Sequence, residues 1–324
     1  MSEINSLDDL LITEDEFNKK MAYVVGPFLR INLKSGFFNS FDDTKIHYSY
    51  LKNPMEKGVV VISHGFCEFI GKYNEVMYYF YQMGFSVFIL EHRGHGFSDR
   101  KCHDPEKIYV KDFDEYVKDF EIFVDKIVKP MASTKYFVLY GHSMGGAIAT
   151  LYLERNQRFF QKAILSSPMH EMNFGKLPKP LVSLICLVTK LIKWDKKYAI
   201  KQKGYDGAFR FSTSSGESRA RYKYVLELRE QDRHYRTAGS TYGWASAAHK
   251  CAYEIKKNAD KVETPILLFQ AGNDTLVLPM AQEKFAKKSK NTKMVIFEDS
   301  KHEIYNSTDE NRKEYYKRIF DFII

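Results

Sequence analysis

Short apolar runs recur along the chain, each too short for a helix. Val59-Val60-Val61-Ile62, Ser86 to Leu90, Tyr136 to Tyr140, Ala163-Ile164-Leu165, Pro265 to Phe269 and Met294 to Phe297 are such runs. Between them, Tyr73 to Met83, Tyr116 to Val128 and Met144 to Asn156 have the spacing of helices. Runs apolar at consecutive positions predict strands buried on both faces. Their alternation with helices predicts a mainly parallel sheet joined by right-handed crossovers. Ahead of them, Leu29 to Leu51 predicts an antiparallel strand pair around the polar turn Asn39 to Thr44.

The alternation stops between Pro168 and about Trp244. That segment carries 15 Lys and Arg against 7 Asp and Glu, an excess of eight that equals the formal charge of the whole 324-residue chain. It predicts a basic, largely helical insertion, residues 168–244, within a core made of 1–167 and 245–324. Insertions at the carboxyl edge of such a sheet commonly cover the site. Inside it, Leu181, Leu184, Ile185, Val188, Leu191 and Ile192 fall at helical spacing after Pro178 and Pro180, with Lys190 and Lys193 toward the other side. Such an amphipathic helix either packs on the core as a lid or presents Leu181, Leu184, Ile185 and Val188 to an acyl channel or a membrane, where basic surroundings would hold an anionic bilayer.

Composition removes other classes. A hydrophobic content of 44% with 15% aromatics is that of a globular chain. The charge of +8 raises nucleic acid as a partner, but its confinement to one segment argues against that reading. Cys67, Cys102, Cys186 and Cys251 are widely separated, so neither disulfides nor a zinc site is expected. His92 and His95 lie on a glycine-rich loop without a third ligand, and no phosphate-binding glycine motif is present; neither metal nor cofactor is expected. The acidic, polar first twenty residues predict no secretory signal, and the longest uncharged apolar stretch, Pro180 to Thr189, is far short of the roughly 18 residues a bilayer crossing needs. The expected location is the cytoplasm, with peripheral contact at the inner membrane surface as an extension. The oligomeric state stays open.

The chemistry centres on Gly141-His142-Ser143-Met144-Gly145, which follows an apolar strand and opens a helix. A serine on so sharp a turn needs neighbours of minimal size two positions away, and Gly141 and Gly145 supply them. The turn lifts the hydroxyl above the sheet edge and aims the Met144 N–H at the same space, as an oxyanion donor. A second donor is expected after an earlier strand, where His64-Gly65-Phe66 follows Val59 to Ser63; the Phe66 N–H fits, with His64 bracing the loop. The order Ser, acid, His places Asp274 after the strand ending near Gln270 and His302 after the last strand. Asp99, Glu298 and Asp299 are rival acids that fit this strand-end position less well. Arg93 and Ser98, in Glu91-His92-Arg93-Gly94-His95-Gly96-Phe97-Ser98, are expected to brace the edge.

With these residues placed, the chain resembles the monoacylglycerol lipase and lysophospholipase branch of the α/β hydrolases, above all the bacterial lysophospholipase L2 type. The elbow, the His64-Gly65 loop with Glu68 and Lys72-Tyr73, the Glu91 to Ser98 run, Tyr116-Val117-Lys118-Asp119, Thr241-Tyr242-Gly243-Trp244 and His302-Glu303-Ile304 carry the resemblance. It implies the α/β-hydrolase fold with an inserted cap and hydrolysis of a single-chain lipid ester through an acyl-enzyme. Phe69 and Lys72 stand where monoacylglycerol lipases usually have His and Arg, which moves the chain toward lysophospholipases. The alternatives are a small-ester carboxylesterase or peptidase on the same triad, or a non-catalytic binding protein.

Overall fold

The computed structural model describes residues 7–175 and 177–324. Eight strands form one sheet: β1 (Lys34–Asn39), β2 (Lys45–Leu51), β3 (Gly58–Ser63), β4 (Phe85–Leu90), β5 (Phe137–His142), β6 (Lys162–Ser166), β7 (Ile266–Ala271) and β8 (Thr292–Phe297), in the order β1-β2-β4-β3-β5-β6-β7-β8. β2 is antiparallel to both β1 and β4, and the other neighbours are parallel. The predicted strands are all present, and Asn39 faces Lys45 across the predicted turn.

The two-faced burial has a direct cause. Along β3, Val59 and Val61 join one apolar cluster with the helices Phe113–Phe123, Met144–Arg155 and Tyr242–Asn258. Val60 and Ile62 join the other, with Asn74–Gln82 and Asp309–Ile323. Successive side chains of a strand point to opposite faces, so a continuous apolar run needs a helical layer on each side.

Two details differ from the sequence expectation. Leu29 belongs to the helix Gly26–Asn32, and strand pairing starts only at Lys34. Phe17, Met21, Val25 and Leu29 repeat every four residues and are buried, so this segment covers a face of the sheet as helix. Between β6 and β7, two 13-residue helices, Lys179–Leu191 and Arg219–Gln231, are joined mainly by irregular chain. The helix Tyr242–Asn258 starts before residue 245 and brings Trp244 into the core, so this element straddles the expected boundary.

Because β3, β5, β7 and β8 run parallel, the loops after them emerge at one edge. Ser63 pairs with Gly141 and Ala271 with Phe297, which sets the His64 loop beside the Ser143 turn and the Asp274 loop beside the His302 loop.

Candidate active site

Ser143 has φ +52° and ψ −119° at the junction of β5 and the helix Met144–Arg155. A side chain there is strained by about 1–3 kcal/mol, and surrounding bonds hold it. Its N–H donates to the carbonyl of Ser166 at 3.1 Å, and its carbonyl accepts from Met169 N–H at 2.8 Å. A Cβ on Gly145 would collide with the Ser63 carbonyl, so only glycine lets this turn approach β3.

The loop after β3 is fixed from several sides. His64 Nε2 accepts from His92 N–H at 3.1 Å, so its proton sits on Nδ1, which donates to the Gly65 carbonyl at 2.8 Å. Burial holds His64, His92 and His95 below the ordinary imidazole range, in keeping with neutral bracing groups. Phe66 packs on Trp244, ring centroids 4.2 Å apart. Arg93 donates twice to Asp119, at 2.6 Å each, and twice to Asp42, and Ser98 Oγ donates to the Glu91 carbonyl. The bracing expected of Arg93 and Ser98 is present.

Asp274 and His302 meet. His302 Nδ1 lies 2.6 Å from Asp274 Oδ2, and both side chains are almost fully buried. A carboxylate only accepts, so Nδ1 carries the proton and Nε2 presents its lone pair. Asp274 Oδ1 accepts from Leu276 N–H at 2.8 Å and Val277 N–H at 3.1 Å. Burial pushes its carboxyl pKa up, but the His302 bond and these two amides outweigh it and leave it below the usual range. The two loops are tied together by Gly272 N–H to the Phe297 carbonyl and Asn273 N–H to the Ser300 carbonyl. Gly272 is required by this approach, since a Cβ would overlap the backbone of Glu298. The His302 ring stands 5.0 Å from that of His142, next to Ser143 in the chain. His302 Nε2 is buried and has no hydrogen-bond partner among the described residues, so it is not bonded to Ser143 Oγ. Such contacts are often loose in free enzymes and tighten on substrate.

A buried charge cluster under this edge escaped the sequence reading. Glu68 accepts from Gly65 N–H, Lys72 Nζ, Tyr73 OH and Tyr305 OH at 2.5, 2.8, 2.6 and 3.1 Å. Lys72 also reaches Glu303 at 2.7 Å. Burial works against both carboxylates, but Lys72 between them holds Glu68 well below the usual range and Glu303 at about 2. The cluster joins the Gly65 loop to the residue after His302. The Glu68/Lys72 spacing was visible in the sequence, but nothing there linked it to Glu303.

Of the two arrangements expected for the helix Lys179–Leu191, the structure has the one in which the stripe does not pack on the core. Val182 and Thr189 turn inward, and Ser183 Oγ meets His249 Nε2 at 3.0 Å on the helix Tyr242–Asn258. Leu181, Leu184 and Val188 are exposed, Leu184 by 53%, and Ile185 is half-buried. The stripe therefore points outward instead of sealing the core. Leu187 and Leu191, the latter 72% exposed, extend it. Among the described residues no helix is long and apolar enough to cross a membrane, and no cluster of three or more His, Cys, Asp or Glu could hold a metal ion.

Comparison with known proteins agrees with this fold. The family model for serine aminopeptidase S33 matches residues 54–309. "Probable lysophospholipase L2" of Haemophilus influenzae is 26% identical over 317 residues, covering 97% of this chain and 99% of that one. Lysophospholipase L2 of Escherichia coli K12 is 29% identical over 284 residues, covering 84% and 80%. A soluble variant of monoglyceride lipase from Saccharomyces cerevisiae, solved with a substrate analogue, superposes with a TM-score of 0.69 at 19% identity, covering 90% of this chain and 95% of that chain, a likeness of fold. With its strained serine on a strand-to-helix turn and its mostly parallel eight-stranded sheet, the chain has the α/β-hydrolase fold and belongs to the serine aminopeptidase S33 family.

Proposed function

We propose that the chain hydrolyses the carboxylic ester of a single-chain lipid, a lysophospholipid or a monoacylglycerol, through an acyl-enzyme on Ser143. The observation that carries the reading is the 2.6 Å bond between His302 Nδ1 and Asp274 on the edge where the Ser143 turn emerges. His302 Nε2 takes the Ser143 proton as Oγ attacks the ester carbonyl, and Asp274 stabilises the imidazolium. The N–H groups of Phe66 and Met144 hold the tetrahedral oxyanion. His302 then protonates the departing alcohol, and water releases the fatty acid by the same steps. This chemistry uses the chain's own residues, without metal or cofactor.

Relatives named for lysophospholipid and monoglyceride hydrolysis support the substrate class. The segment between β6 and the helix Tyr242–Asn258, with the helices Lys179–Leu191 and Arg219–Gln231, serves as a cap over the core that Trp244 joins. Leu181, Leu184 and Val188 on the cap's outer helix, with exposed Lys190, Lys193 and Trp194 beside them, suit peripheral contact with an anionic bilayer. Half-buried Ile185 is our candidate for the acyl-binding side of this helix. A cytoplasmic location, with contact at the inner membrane surface, fits these features.

The family's name raises an aminopeptidase as the second reading. A peptide's terminal ammonium would need an unpaired carboxylate near the nucleophile. Glu68, 3.5 Å from His142 Nε2, and Glu303 are buried candidates at this edge, and Lys72 already occupies both. A hydrolysis panel of lysophosphatidylcholine, monoacylglycerol, short p-nitrophenyl esters and an aminoacyl amide decides the matter. The expected result is preference for the long-chain lipids; cleavage of the amide with neglect of the lipids would replace this reading.

A further inference from the structure

A cavity of about 400 Å³ opens beside the candidate site, between the cap and the loop that carries His302. Six of its lining side chains are Lys or Arg and two are carboxylates. Both carboxylates are engaged: Glu303 with Lys72, and Asp206 with Arg210 and Lys203. Lys72 is further paired with Glu68, and Arg221 with Glu75 and Glu14, which leaves Lys201 and Arg229 as the cations of the wall without a carboxylate partner among the described residues.

Arg229 is the informative member. Among the described residues no carboxylate lies within ion-pairing distance of it, and its buried Nε has no hydrogen-bond partner. Its Nη2 donates to the Cys67 carbonyl at 2.6 Å. Tyr205, also in the wall, lies with its ring 5.8 Å from the Arg229 guanidinium and 6.0 Å from that of Arg236, and its hydroxyl is likewise buried and unpartnered. Buried polar groups without partners are uncommon and costly, and a guanidinium beside an idle hydroxyl donor is complementary to phosphate oxygens. Arg229 Nε and the Tyr205 hydroxyl are both closed off from solvent, so an anion in the cavity is met by a turn of the Arg229 and Tyr205 side chains toward it.

The cavity is also placed for a substrate. Cys67 follows Phe66, so Arg229 is one hydrogen bond from the loop expected to hold the ester oxygen. Ser214 and Ser215 line both this cavity and the groove that contains His302, and Ser215 Oγ donates to Glu303 at 2.5 Å.

We propose that this cavity receives the anionic phosphodiester headgroup of a lysophospholipid, with Arg229 and Tyr205 as its ligands. The proposal rests on the lipid-ester reading above and narrows it: the site favours a glycerophosphodiester leaving group over neutral glycerol.

The test compares kcat/KM for lysophosphatidylglycerol and for monoacylglycerol of the same acyl chain, in the wild type, Arg229→Gln, Arg229→Lys and Tyr205→Phe. Arg229→Gln should lose about 10- to 100-fold on the lysophospholipid, at least tenfold more than it loses on the monoacylglycerol. Arg229→Lys should recover part of the difference, and Tyr205→Phe, which leaves the Cys67 contact intact, should lose less in the same direction. Equal losses on both lipids would mean that Arg229 only steadies the Cys67 loop, and would overturn the proposal. Calorimetric titration of the wild type with glycerophosphoglycerol and with inorganic phosphate reads the site without turnover. Binding of the diester, weakened at least tenfold by Arg229→Gln, supports the site even if neither lipid is cleaved, an outcome that would sink the lipid-ester reading alone. Binding of inorganic phosphate only, or of neither probe, overturns it.

Discussion

Asp274 and His302, 28 residues apart in sequence, are joined by a 2.6 Å hydrogen bond between two loops that are themselves laced together through Gly272 and Asn273. The carboxylate sets the tautomer, so its charge and acceptor role matter more than its size. Asp274→Asn keeps the shape and the acceptor for Leu276 and Val277, but its amide can turn a donor toward His302. A fall in kcat of about 10⁴-fold is expected, with little change in thermal midpoint. Steady-state kinetics with a p-nitrophenyl ester measures it, and a loss under tenfold would assign the orienting role elsewhere.

Strain at Ser143 makes a second prediction of opposite sign for stability and activity. At φ +52° a Cβ is unfavourable, and glycine is not. Ser143→Gly should be inactive yet more stable by about 1 kcal/mol, visible as a raised urea midpoint. A lowered midpoint would show that the turn is relaxed as it stands.

Acid should unfold the protein from an unusually high pH. His142 is buried against Glu68, Ser166 and His302, and burial pushes its pKa down to about 4. Burial holds His170 at about 3. The unfolded chain takes up these protons below its ordinary value near 6.5, whereas the folded protein resists until pH 4 or 3. Stability present above pH 6.5 is therefore lost as pH falls through that window, by about 3 kcal/mol for a group like His142. Denaturant midpoints between pH 7 and 4.5 should fall steadily, and His142→Asn should flatten the slope. A midpoint constant over that range would contradict the assignment.

The outward stripe on Lys179–Leu191 predicts membrane affinity. Leu184→Asp with Leu187→Asp should reduce binding to anionic liposomes about tenfold or more, since two exposed apolar anchors are replaced by charges that an anionic surface repels. Flotation at low and high salt reports it. Binding by the wild type that ignores both anionic lipid and salt would remove the proposed contact.

The inner strands were legible because burial on two faces writes a continuous apolar run, whereas β8, expected to be buried likewise, lies at the sheet edge with Ile296 exposed. Asp274 and His302 were legible because they follow such runs at the edge where Ser143 emerges. The outward turn of the Leu184 stripe was not legible, since helical spacing defines a stripe but not the surface it meets. The link between the Glu68/Lys72 pair and Glu303 was hidden for another reason. Lys72 finds Glu303 231 positions away, and only the closed sheet brings them together. The N-terminal helix had its signal in Phe17, Met21, Val25 and Leu29, but the strand pair expected from Leu29 onward obscured it.

The most direct test of the account is turnover of a long-chain lipid ester by Ser143→Ala beside the wild type, with both shown to be folded. The account predicts a loss of about 10⁶-fold in kcat, as when the nucleophile of a serine triad is removed. Near-normal turnover by Ser143→Ala would contradict it.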